Sequence, residues 1–207
     1  MITSSDAFRQ QQLELYRSIM EEARTRVDAI NVMLGGATGL AERAAAEFCY
    51  LQIRMLCELT ALGCLVAHGE IEKTRTLNKI WAADEIVRRL ERLNPTFYPK
   101  PVVFTNPSPG HWHLEEFPNE NYLRQDEFGK LVGITGDILH KGSLRRLAKG
   151  QSSAECTIER AVHWGQKIVN LINQHRIGLI GNNHIVCALA DGGGQVSVSF
   201  AQPQSTA

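Results

Sequence analysis

The chain has 207 residues, 22 basic and 22 acidic, so it carries no net charge. That length suits one domain able to bury most of its unfolded surface, and the charge balance excludes a general pull towards nucleic acid or anionic membrane. Five cysteines are an odd number, and MITSSDAFRQQQ holds no apolar leader. The expectation is therefore reduced thiols in a bacterial-type cytoplasm, without secretion or a disulfide framework.

From about Asp6 to Leu34, Phe8, Leu15, Ile19, Ile30 and Leu34 form a sparse apolar stripe among Glu, Gln and Arg. This predicts a long amphipathic helix, stopped by Gly35, Gly36 and Gly39. From about Leu40 to His68 runs the stretch that organises the rest. It has helix formers throughout, no glycine before Gly63 and apolar side chains nearly all round, which marks a helix buried among others. Cys49, Cys57 and Cys64 recur on one side as small packing residues. The stretch approaches the length of a membrane span. Glu47, Arg54 and Glu58 sit mid-span, however, and each would cost about 2.5–3.5 kcal/mol to insert, so a crossing is not expected. One stripe is polar: at about 100° per residue, Arg43, Glu47, Tyr50, Arg54, Glu58 and His68 share a face.

A third helix is predicted over about Lys73–Leu93, with Leu77, Ile80, Trp81, Val87, Leu90 and Leu93 on its apolar side. Then NPTFYPKP, with three prolines in eight residues, forces an extended chain. Val102–Phe104, the turn former NPSPG and His111–Leu114 predict a short hairpin or ordered loop, inserted between helices over 94–120. A fourth helix, about Asn121–His140, carries Gly129, Gly133 and Gly136, which allow close approach to another helix. Ser152–Glu155 is a capping box opening a fifth helix that runs to about His175. In the tail, His184–Ala190 and Gln195–Ala201 flank Asp191-Gly-Gly-Gly194, and serine alternates with Val196, Val198 and Phe200, as in a β-hairpin. The fold class is accordingly mainly α in a single domain, residues 1–207. It consists of a bundle of about five helices, the proline-rich insert and a C-terminal β-hairpin over 183–201. The long first helix and the hairpin's unpaired edge favour a homodimer.

Three groups of side chains suggest chemistry. Arg54 and Glu58, spaced i,i+4 on the most buried helix, form either a structural ion pair or a polar pocket. In the pocket, Arg54 would bind an anion and Glu58 would orient it. His140 closes the fourth helix beside Lys141, Ser143, Arg145 and Arg146, the only locally basic patch. It either satisfies helix-end carbonyls or acts as general acid or base at a phosphate or RNA site. His111, His113 and Glu115 alternate, so on a strand they would share a face and offer three metal ligands, with no fourth ligand implied and proline-rich surroundings against the strand. No cofactor is implied, and no motif around Cys57 or Cys156 lowers a thiol pKa.

The segments YLQIRMLCELTALGCLVAHGEI, NPTFYPKP and FGKLVGITGDILHKGSL together resemble a family of bacterial proteins of about this size without an assigned activity. The resemblance covers roughly Phe48 to Leu144. More distantly, the helical layout with a late helix ending in histidine is similar to the HEPN superfamily of RNA-processing and defence modules. That likeness implies ribonuclease activity at His140. Active members carry an arginine four to six residues before the histidine. Here Ile134–Leu139 contains none, and Arg160 stands three residues before His163. The leading expectation is thus a binding module for an anionic ligand or partner, acting through Arg54, Glu58 and the His140–Arg146 patch. A HEPN-like ribonuclease is the alternative, and a metal-dependent activity at His111 and His113 comes third.

Overall fold

In a computed structural model, residues 4–36, 38–69, 79–108, 111–140 and 156–202 are described, except for the side chains of 4–6, 106–108, 111 and 112. The protein is mainly helical with a small antiparallel sheet. Two long helices come first, α1 (Ser4–Leu34) and α2 (Glu42–Ala67). Cys49, Ile53, Leu56, Cys57, Ala61, Cys64 and Ala67 of α2 are all fully buried, as its nearly continuous apolar surface requires. Helix α1 lies against it tightly enough that a methyl group on Gly63 would sit 3.2 Å from both Met20 and Tyr16. The Gln12 side chain of α1 donates to the carbonyls of Val66 and Ala67 at 2.7 and 3.0 Å. It thereby satisfies acceptors that the last turn of α2 would otherwise leave open.

Helix α3 spans Ala83–Leu93. The expected start near Lys73 falls partly outside the described residues, but Ile80–Ala82 are not helical. Trp81, expected on the apolar side, is 83% exposed. The helix begins where Asp84 and Glu85 place carboxylates at its positive end. The proline-rich stretch leads into β1 (Lys100–Ser108), which pairs with β2 (His111–Glu116). Helix α4 is Gln125–Leu139, starting four residues later than expected. Before it, Asn119 accepts from the Asn121 N–H, and Glu127 reaches back to the Arg124 N–H. Helix α5 is Ile158–Ile172, with Thr157 as N-cap accepting from the Arg160 N–H at 3.2 Å. The expected cap at Ser152–Glu155 lies outside the described residues.

Helix α5 stops short of His175, because Gln174–Gly178 form β3. That strand, absent from the sequence expectation, pairs with β4 (His184–Ala188), and β4 pairs with β5 (Ser197–Ala201) in the expected hairpin. The hairpin does not stand alone. The order β2-β1-β3-β4-β5 makes one five-stranded sheet that includes the proline-rich segment. Between β1 and β3 the ladder is only Lys100↔Arg176 and Pro101↔His175, extended by the Gln174 side chain accepting from the Phe104 N–H at 3.0 Å. His175, Ile177, Ile185, Cys187 and Val198 face the helices and are buried. Their neighbours Arg176, Val186, Ser197 and Ser199 form the opposite face.

Two buried histidines join helices to sheet. The Nδ1–H of His175 donates to the Ile172 carbonyl at 2.8 Å, which leaves Nε2 to accept from the Tyr16 hydroxyl at 2.6 Å. Likewise the Nδ1–H of His68 donates to the Cys64 carbonyl at 2.8 Å, and its Nε2 accepts from the Asn94 amide at 2.8 Å. The same amide donates to the Gly178 carbonyl at 2.8 Å. The end of α2 is thereby tied to the β3 terminus.

Candidate functional site

The polar stripe on α2 resolves into two ion pairs and two buried groups. Arg43 and Glu47 pair at 3.1 Å near the surface, while Tyr50 and His68 are buried. Arg54 Nε donates to Glu58 at 2.7 Å, with the two side chains 21% and 31% exposed, so the pair is neither sealed in the core nor freely solvated. Arg54 Nη1 also donates to the Val132 carbonyl of α4 at 3.1 Å, and the guanidinium lies 3.9 Å from where a methyl on Gly136 would be. Gly136 thus gives the arginine room to span from α2 to α4. His140 is the C-cap of α4, exposed, with its N–H donating to the Gly136 carbonyl at 3.0 Å. It lies one helical turn beyond the point that Arg54 touches. Lys141, Ser143, Arg145 and Arg146 lie outside the described residues.

His113 and Glu115 project from the same face of β2 and are exposed, while the His111 side chain is outside the description. Among the described residues, no three His, Cys, Asp or Glu side chains are grouped so as to hold a metal ion. The thiols are buried and protonated. Burial pushes Cys57 and Cys187 up to about 12 and raises Cys64 further. By length and composition α2 passes for a membrane span, yet 67% of its apolar window is buried within the protein.

A wide concavity lies elsewhere among the described residues. A cleft of about 1000 Å³ opens between α3, the proline-rich segment, the end of β2 and the start of α4. Its volume is that of a generous ligand site. Prolines 95, 99, 101 and 118 stiffen its walls, and the half-buried Phe117 and Tyr122 supply aromatic surface beside the buried Tyr98 and Phe128. Two edge-to-face contacts hold these rings, Tyr98–Phe128 at 6.1 Å and Phe117–Tyr122 at 6.4 Å. The Tyr98 hydroxyl is fixed by donating to the Leu123 carbonyl at 3.1 Å.

Charge in the cleft is sorted by position. Arg88 is neutralised by Glu85 at 2.6 Å, and Arg124 by Asp126 at 3.1 Å. Asp84, Glu91, Glu116 and Glu120 also line it, and Glu116, opposite Val102, falls on the same sheet face as Lys100. Lys100 and Arg176, in contrast, are direct cross-strand partners on one face of the sheet, and Arg176 is half-buried. Like charges opposite one another destabilise a ladder. The field reaches further: burial first, then the Arg176 cation, holds the His184 imidazole below its ordinary value.

The sequence marks this segment as extended and proline-rich, but Lys100 and Arg176 are 76 residues apart and carry no motif. The only local sign was the clustering of aromatic and proline residues around Lys100. Compared with known proteins, the chain matches no protein-family model, no curated protein and no solved structure.

Proposed function

We propose that this protein is a non-catalytic binding module of the cytoplasm. Its helices form a bundle with the proline-rich segment as an insert, and the cleft takes an anionic group set on an apolar body. The Lys100–Arg176 pair carries the proposal. Two adjacent cations, one half-buried, stand at the sheet end of a cleft walled by prolines and aromatic rings. A carboxylate or phosphate between them would relieve their repulsion, while the rings would take the apolar part. Rigid walls keep the ordering cost of binding low. The five buried free thiols support a reducing compartment.

The test is an amide-shift titration with phenyl phosphate, phenylacetate and, as the neutral control, benzyl alcohol. The two anions should perturb Lys100, Arg176 and Tyr122, and the Lys100→Glu/Arg176→Glu double variant should lose the response. Equal shifts from benzyl alcohol, or anion shifts confined to Arg54 and His140, would reject the cleft as the anion site.

A second reading, RNA cleavage of HEPN type, is favoured by one observation. Arg54 meets α4 at Val132 and Gly136, one turn before His140. It predicts that purified protein degrades RNA and that His140→Ala does not. Equal activity in both, or none in either, disposes of it.

A further inference from the structure

The outer edge of β5 is built differently from the other edge of the same sheet. Exposed edges invite pairing with other chains, and proteins guard them with charge, proline or bulges. Strand β2 is guarded in two of these ways: it ends on Glu115 and Glu116, and its ladder shifts register between Thr105 and Ser108. Strand β5 reads Ser197-Val198-Ser199-Phe200-Ala201, without charge or proline, and its ladder with β4 runs unbroken. Among the described residues, no strand pairs with its outer edge. It is also held firmly. The Arg9 guanidinium lies 4.9 Å over the Phe200 ring, and Arg24 donates to the Gly194 carbonyl at 2.6 Å, both from α1.

We propose that β5 pairs antiparallel with β5 of a second copy of this chain, about a two-fold axis through Ser199, joining the two sheets into one. The pattern is self-complementary about that centre. Ser199 meets its own counterpart, Val198 of each copy faces Phe200 of the other, and Ser197 of each faces Ala201 of the other. The apolar pair falls on the helix-facing side, where Val198 is already buried, and the small polar groups fall on the open side. A β-branched residue against an aromatic is a favourable cross-strand pair. Only this centre pairs all five residues, none of which is charged. The cleft lies near the opposite edge of the sheet, so the dimer and the anion site stand or fall separately.

Cross-linking tests the axis. Directly opposed residues of an antiparallel pair have Cα atoms about 4.5–5.5 Å apart, within disulfide range. Residue 197 of the two copies would be separated by about 13 Å. The native thiols are all buried and add little background. Under mild oxidation Ser199→Cys should run as a covalent dimer on a non-reducing gel, and Ser197→Cys should not. In sedimentation across the micromolar range the wild type should be dimeric. Ser199→Pro should be monomeric with an unchanged circular-dichroism spectrum, and Ser199→Lys is the second variant if the proline disturbs folding. A wild type that stays monomeric, a Ser199→Cys that does not link, or a Ser197→Cys that links equally well would overturn the proposal.

Discussion

His175 makes stability depend on pH in a calculable way. It is fully buried, with Nδ1–H given to the Ile172 carbonyl and Nε2 occupied by the Tyr16 hydroxyl. Burial lowers its pKa from 6.5 to about 4, only partly offset by the Ile172 hydrogen bond. Between those values the unfolded chain binds a proton that the folded protein refuses. Stability is therefore fully present above about pH 6.5 and drains away as the pH falls towards 4. Linkage with those two pKa values gives a loss of about 2 kcal/mol between pH 7.5 and pH 5 from this residue alone. The assay is urea unfolding at both pH values for wild type and His175→Gln, whose amide still accepts from Tyr16 but does not titrate. The wild type should lose about 2 kcal/mol more than the variant over that interval. His184, also lowered, acts with the same sign in both proteins and cancels. Identical losses would refute the assignment. So would an NMR titration in which the His175 ring takes up its proton near pH 6.5, a measurement that needs no variant.

Gly178→Ala should cost about 1–3 kcal/mol in urea unfolding, because its methyl would sit 2.7 Å from the Thr96 hydroxyl and 3.0 Å from the Thr96 carbonyl; an unchanged midpoint would mean that this turn yields freely. A double-mutant cycle of Arg54→Ala and Glu58→Ala should give a coupling of only about 0.5–1 kcal/mol, since water reaches both side chains. A coupling several times larger would show the pair to be more enclosed than its geometry implies. Lys167 ties α5 to Glu127 of α4 at 2.5 Å, with the two side chains 10% and 19% exposed. Burial pushes the Glu127 carboxyl up, but the Lys167 ammonium and the Arg124 N–H outweigh it and leave the carboxyl lowered. Lys167→Met should therefore destabilise by on the order of 2 kcal/mol at neutral pH, less in acid once Glu127 is protonated; a pH-independent loss would point to packing instead. Finally, native protein should react slowly with a thiol reagent and release all five thiols only on unfolding, so fast reaction of any one thiol would contradict the burial of the cysteines.

Local pattern was enough for α1, α2 and the β4–β5 hairpin. Each is specified by signals within a few residues: apolar periodicity for the helices, and alternation around Asp191–Gly194 for the hairpin, where Asp191 accepts from the Gly193 and Gln195 N–H groups. The Arg54–Glu58 pair was legible for the same reason, being a contact between residues one turn apart. Local pattern failed where long-range partners decide. Gln174–Gly178 continues the polar–apolar mixture of α5 and becomes a strand only because β1 and β4 flank it. Trp81 reads as an apolar helix position, yet it is exposed because the helix starts after it. The cleft belongs wholly to this second kind. Lys100 is a lysine among prolines and Arg176 an arginine near a helix end, and neither carries a signal until strand register sets them side by side. Period and composition determine which surface each segment must bury, but the meeting of two charges distant in sequence follows from how the buried faces are stacked, and that is settled only in three dimensions.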